Sequence, residues 1–209
     1  MKINYQSILD AKLEEITSQG TVPRLLLHAC CAPCSSYVLE YLTRFFDITV
    51  YFYNPNITDE AEYQKRADEL ARLISLMPHE NKIELIVCSH APERFYAFTG
   101  GLEALAEGGA RCFSCYRERL EATVKYAAEH MGQYDYFATT LTVSPHKNAA
   151  KLNEIGEELA ERNGICWLAS DFKKREGYKR SIELSREYGL YRQDFCGCEF
   201  SREYKHGND

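Results

Sequence analysis

Short apolar runs alternate with longer stretches of helical periodicity along the chain, and that alternation limits the folds open to it more than any other feature. RLLL (24–27), ITVYFYNPN (48–56), KIELIVC (82–88), YDYFAT (134–139) and ICWL (165–168) read as strands, the second stopped by Asn54-Pro55-Asn56. Between them, residues 4–19, 35–45, 59–77, 115–130, 145–162 and 177–188 carry apolar positions on one helical face, as with Ile8, Leu9, Leu13 and Ile16. Residues 90–111, broken by Gly100-Gly101 and Gly108-Gly109, are expected to form short helices and turns. Strands separated by helices of ten residues or more imply parallel β-α-β units. The expected fold class is therefore α/β, a Rossmann-like three-layer sandwich with a mostly parallel sheet. In such folds ligands sit at the carboxyl ends of the strands. HACCAPCSS (28–36) follows the first strand and TTLTVSPHKN (139–148) follows the fourth, so both are expected on one rim.

The length of 209 residues suits one domain over 1–209 with a full core. No run approaches the roughly 18 apolar residues needed to span a bilayer. The opening MKINYQSILDAKLEEI carries acids and no apolar stretch, so it does not read as a signal peptide. The expectation is a cytoplasmic protein with no membrane partner. A net charge of −6 argues against a general nucleic-acid binder but leaves room for a local basic patch.

Nine cysteines are anomalous in such a chain. Their number is odd, the core is large enough without staples, and the compartment is expected to be reducing, so metal binding or redox chemistry is the better reading. Seven fall into three groups: Cys30-Cys31-x-x-Cys34, Cys112-x-x-Cys115 and Cys196-x-Cys198. All seven are candidate metal ligands. Cys88 and Cys166 stand alone in strand-like runs and read as small core hydrophobes. Seven thiols exceed one tetrahedral zinc site, and a cubane iron–sulfur cluster also takes up to four thiolates. Ala29, Ala32 and Pro33 permit a tight loop. Ser35 and Ser36 are expected to cap the next helix, whose N-terminus favours thiolate.

Other residues admit two readings. His28 is either an iron ligand or proton donor, or a packed, hydrogen-bonded histidine. Thr139, Thr140, Thr142, Ser144, His146 and Lys147 form a polar loop that either contacts phosphate or ribose or simply caps a helix. Tyr53 and Asn54 either line a pocket or make a turn. Segment 171–192 interleaves Lys173, Lys174, Arg175, Lys179, Arg180, Arg186 and Arg192 with tyrosines. That pattern suits RNA, or a solvated helix face. Arg111, Arg117 and Arg119 are expected to extend the patch.

Taken together, HACCAPC (28–34), YNPNI (53–57), RCFSCYRERL (111–120), FATTLTVSPHKN (137–148) and DFKKREGYKRSIELSREYGLYRQDFCGC (171–198) resemble the QueH-type epoxyqueuosine reductases. The resemblance runs from about residue 24 to residue 200. It implies an adenine-nucleotide-alpha-hydrolase-like (HUP-like) variant of the fold, a 4Fe–4S cluster with an additional mononuclear iron nearby, and no cobalamin. It implies reduction of the epoxide of epoxyqueuosine at the tRNA wobble position to the alkene of queuosine. The partners are then a tRNA anticodon stem-loop and an external electron donor. On this reading Cys34, Asp171 and His28 are the candidates for catalysis. Tyr53, Asn54, Thr139, Thr140, Ser144, His146, Lys147, Lys173, Lys174, Arg175, Lys179 and Arg180 are the candidates for substrate or tRNA binding, and segment 171–200 completes the metal site. Cys112 and Cys115 are the strongest candidates as cluster ligands, with Cys30, Cys31 and Cys34 divided between cluster and iron and helped by Cys196 and Cys198. The alternatives are a tRNA-thiolation or ATP-pyrophosphatase-type enzyme, which lacks support because no glycine-rich loop follows strand one, and a zinc-stabilised RNA-binding module without catalysis.

Overall fold

A strand such as RLLLH has no polar side to offer water, so it must lie at the middle of a sheet covered on both faces. The structure, a computed structural model that describes residues 3–201, places it there. The expected domain over 1–209 extends past these bounds at both ends. In chain order the elements are α1 (Tyr5–Gln19), β1 (Arg24–His28), α2 (Ala32–Leu42), β2 (Asp47–Phe52), α3 (Glu60–Leu76), β3 (Ile83–Val87), α4 (Pro92–Thr99), α5 (Ala110–Glu129) and β4 (Tyr136–Thr139). A 3-10 turn (Thr140–Val143), α6 (Ala149–Asn163), β5 (Cys166–Trp167) and α7 (Gly177–Glu187) follow.

The sheet is all-parallel, in the order β3-β2-β1-β4-β5. The chain steps outward from β1 to β3, then crosses back to lay β4 beside β1. The direction of winding reverses between β1 and β4, which opens a crevice at their carboxyl ends. Leu25 and Leu27 of β1 pack with Leu9, Leu13, Leu39, Leu70 and Leu73, the layer of α1, α2 and α3. Leu26 packs the opposite way, with Leu120 and Val124 of α5 and Leu152 and Ile155 of α6. The result is a Rossmann-like three-layer sandwich. Each fully buried leucine contributes about 1.5–3 kcal/mol.

The helices start where a side chain can satisfy a free N–H. The Asn4 side chain accepts from Ser7 N–H at 3.3 Å, that of Asp59 from Glu62 N–H at 2.8 Å, and that of Asn148 from Lys151 N–H at 3.0 Å. Three starts differ from expectation. α2 begins at Ala32 rather than at residue 35, because its cap is Cys31. α6 begins at Ala149 rather than Pro145, because the cap is Asn148 and residues 140–147 are a 3-10 turn and loop. α5 begins at Ala110, directly after Gly109, so Cys112 and Cys115 lie on its first turns rather than in a loop.

Candidate metal centre at the crevice

The first thiol group forms the turn from β1 into α2. Cys31 is itself the N-cap of α2: its Sγ accepts from the Cys34 N–H at 3.4 Å. Ser35 and Ser36, expected as caps, instead donate to the carbonyls of Cys31 (2.8 Å) and Pro33 (3.0 Å). The sulfurs of Cys30, Cys31 and Cys34 all lie within 4.8 Å of one another, and those of Cys30 and Cys31 are 3.6 Å apart. A tetrahedral ion with ~2.3 Å metal–sulfur bonds needs sulfurs about 3.8 Å apart. The group has the spacing to hold a metal ion. Hydrogen bonds from Cys31 and Cys34 hold the Cys30 thiol well below its ordinary range. Burial pushes Cys31 up to about 12, and Cys34, as donor to Cys30, is also held high.

The other two groups meet a short way off. Cys112 and Cys115 on α5 and Cys196 and Cys198 on residues 190–201 line one cavity of about 20 Å³. That final segment is a strap laid over α3. Arg66, 2% exposed, donates to the carbonyls of Cys196 (3.2 Å) and Phe195 (3.3 Å) and pairs with Glu62 at 2.7 Å. Asn56 donates to the Cys196 carbonyl at 3.3 Å. Nearer the strap's start, Arg72 donates to the carbonyls of Tyr188 and Gly189, and Glu69 accepts from the Tyr191 N–H at 2.6 Å. Gly197 has φ +100°, and a Cβ there would lie 2.7 Å from Ile57 Cγ1, so only glycine turns the chain between the two cysteines. All nine cysteines are unbridged.

A larger cavity of about 480 Å³ opens beside the smaller one, and the two share Glu107, Arg119, Lys147 and Cys196 as lining. Cys30 and Cys34 line the larger one. Lys147 Nζ donates to Cys196 Sγ at 3.3 Å and lies 3.6 Å from Glu107. Burial pushes the Cys196 thiol up, but Lys147 and Arg119 outweigh it and hold it below its ordinary range. Burial, helped by the nearby Cys196 thiolate, raises Cys115 to about 11 and Cys198 to about 12. Arg119 is 1% exposed and has no carboxylate partner among the described residues. Among the described residues four buried polar side-chain atoms lack a partner, Asn56 Oδ1, Tyr116 Oη, Arg119 Nη2 and Gln193 Oε1, and each of these residues lines one of the cavities or contacts the strap. Cations buried against thiols, with unused donors on Tyr116 and Arg119 in the same lining, fit a thiolate-bound, negatively charged group.

The remaining candidates divide. Thr140 Oγ1 lies 3.9 Å from Cys30 Sγ, and Ser144, His146 and Lys147 line the larger cavity. Asn54 donates to the Ala29 carbonyl at 2.8 Å and accepts from Arg119 at 3.5 Å. Tyr53 donates to Glu118 at 2.9 Å. His28 is fully buried, bonded at 2.8 Å to Thr139 Oγ1 and at 3.1 Å to the Tyr53 carbonyl, and burial pulls it down to about 3. Both ring nitrogens are taken up, the arrangement of a packed histidine. Asp171 lines neither cavity and pairs with Lys173 at 2.5 Å. The basic segment is largely neutralised: Arg175 pairs with Asp10, Lys179 with Glu176 and Arg180 with Glu40. Lys174 forms no ion pair among the described residues. Arg111 and Arg119 are buried and Arg117 binds Glu158, so they do not extend a surface patch. The sequence reading missed Arg66, which an ordinary helical pattern masks, and Glu107 and Gln193, which sit near thiol groups in irregular segments where no periodicity tells an inward side chain from an outward one.

The sequence model described as Epoxyqueuosine reductase QueH matches residues 25–204. A protein of that name from Staphylococcus epidermidis is 41% identical over 204 residues, 96% of this chain and 85% of the relative. One from Streptococcus pyogenes is 41% identical over 202 residues, 96% of this chain and 78% of the relative. One from Thermotoga maritima is 35% identical over 196 residues, 90% of this chain and 94% of the relative. With the thiol-bearing motifs all inside the matched span, this chain belongs to the epoxyqueuosine reductase QueH family.

Proposed function

We propose that this chain reduces the epoxide of epoxyqueuosine at the wobble position of tRNA to the alkene of queuosine, using a thiolate-bound iron centre in the crevice between β1 and β4. The single observation that carries the cofactor reading is that six unbridged thiols line two adjoining cavities with Arg119 and Lys147 in the shared wall, and the seventh, Cys31, lies within 4.8 Å of Cys30 and Cys34. Cys112, Cys115, Cys196 and Cys198 would hold a 4Fe–4S cluster, and the tighter Cys30, Cys31 and Cys34 group an additional iron. Such a centre supplies electrons one at a time and a Lewis acid for the departing oxygen.

The reaction breaks both C–O bonds of the epoxide, forms the alkene, and consumes two electrons and two protons to release water. The chain has no means of renewing those electrons from one turnover to the next, so an external donor is required. The chain's own part is to admit the base, orient it and exclude bulk water. The larger cavity has the volume for a base turned out of its stack. Ser144, His146 and Lys147 stand on its wall as hydrogen-bond donors for the substrate. Lys147, charged at neutral pH because Cys196, Tyr116 and Glu107 together outweigh its burial, steadies negative charge as it builds on the oxygen.

Among the described residues no helix is long and apolar enough to cross a membrane; a tRNA substrate supports a cytoplasmic protein. The test is anaerobic purification with iron and sulfide measured per chain, then turnover of an anticodon stem-loop bearing the epoxide. A brown protein that yields the alkene supports the proposal. A colourless zinc protein would leave the non-catalytic RNA-binding module, and a loaded protein that leaves the epoxide intact would overturn the activity.

A further inference from the structure

Arg119 has no ordinary structural explanation. It is a fully enclosed guanidinium on α5 with no carboxylate partner among the described residues, and the adjacent Glu118 is bonded to Tyr53 and Arg94. Its Nε donates to the Cys115 carbonyl at 3.2 Å and its Nη1 to Asn54 Oδ1 at 3.5 Å. Its Nη2 is buried with no partner. An uncompensated buried charge costs several kcal/mol, and an unused donor on it adds to that cost. What surrounds it is sulfur: Cys115, Cys196 and Cys30 are its main electrostatic partners, one from each of the three thiol groups. Arg119 also lines both cavities.

We propose that Arg119 is a positioning residue that bridges the two halves of the metal centre: its free Nη2 donates to sulfur, and its fixed charge raises the reduction potential. This rests on the iron–sulfur reading above. One-electron reduction adds one negative charge to a centre in a water-poor site. A permanent cation beside it stabilises the reduced form more than the oxidised form, and hydrogen bonds to sulfur act in the same direction. Arginine suits the task, since it keeps its charge when buried and presents donors in a rigid plane that reaches two sites at once. Asn54 fixes the orientation, because the amide that accepts from Arg119 also donates to the Ala29 carbonyl, next to Cys30.

Wild type, R119K and R119Q are purified anaerobically, iron and sulfide are measured per chain, and midpoints are read from bleaching in a dye-mediated reductive titration. R119Q should load its metal yet titrate at a more negative potential, with R119K between it and wild type. N54D is a second handle: it sets a carboxylate against the guanidinium without emptying its space, and should also move the midpoint negative. If R119Q fails to fold, N54D decides. An unchanged midpoint in loaded R119Q, or in N54D, overturns the bridge and leaves the reductase reading intact. A wild type that holds zinc and shows no redox transition overturns both.

Discussion

At the scale of single residues, the site depends on groups whose chemistry has little slack. Gly197 turns the strap between two cysteines at a backbone angle that L side chains resist, with Ile57 pressed against it. G197A should therefore lower iron per chain and the melting temperature together, at a cost of about 1–3 kcal/mol. His28 predicts a contrasting outcome. Its nitrogens tie β1 to β4 through Thr139 and to the end of β2 through the Tyr53 carbonyl. H28A should destabilise the fold by about 2–4 kcal/mol in urea titration while the protein refolded at low temperature still takes up iron. Residue identity was legible in the sequence where chemistry is rare: the seven clustered cysteines stand out on any reading. It was not legible for Arg119 and Arg66, since arginine on an amphipathic helix reads as solvated. Only coordinates show that these two point inward.

At the scale of elements, α3 acts as a clasp for the strap that carries Cys196 and Cys198. Glu62, Arg66, Glu69 and Arg72 recur along one face of α3, and each touches the strap or a residue that does. R66A leaves the half-buried Glu62 without its cation and the strap carbonyls without their donor, a loss of about 2–4 kcal/mol. Hydrogen exchange over 190–201 should then quicken more than over the sheet. The Arg72 hydrogen bond holds the Glu69 carboxyl below its ordinary range, helped by the Tyr191 N–H. A depressed carboxyl stabilises the fold above the ordinary carboxylate range and loses that effect as pH falls below that range and through the lowered folded-state value. The urea midpoints of wild type and E69Q should therefore differ near neutrality and converge in acid. The strand–helix alternation was readable because both periodicities are strong. The starts of α5 and α6 were not, because a glycine or asparagine cap outweighs the apolar pattern that suggested other boundaries. The strap has no periodicity, so its route over α3 follows from ion pairs that distance in sequence conceals.

For the whole molecule, the balance of charge matters more than any one basic run. The chain carries −6 overall, and most cations of 173–180 are matched by nearby carboxylates. Binding to an anticodon stem-loop should depend only weakly on salt, with a slope equivalent to ~2–3 phosphates. K179A should change the affinity less than twofold in a filter-binding assay, and a steep slope would show that the paired cations are released to the RNA. The Rossmann-like layering also fixes an order of assembly. The thiols after β1 are synthesised early, whereas those of the strap emerge only after the sheet and α3 are complete. A nascent chain therefore displays half of a metal trap long before the other half exists. Metal delivered too soon would meet an open set of reactive sulfurs, so maturation favours a supply that waits for the strap to close.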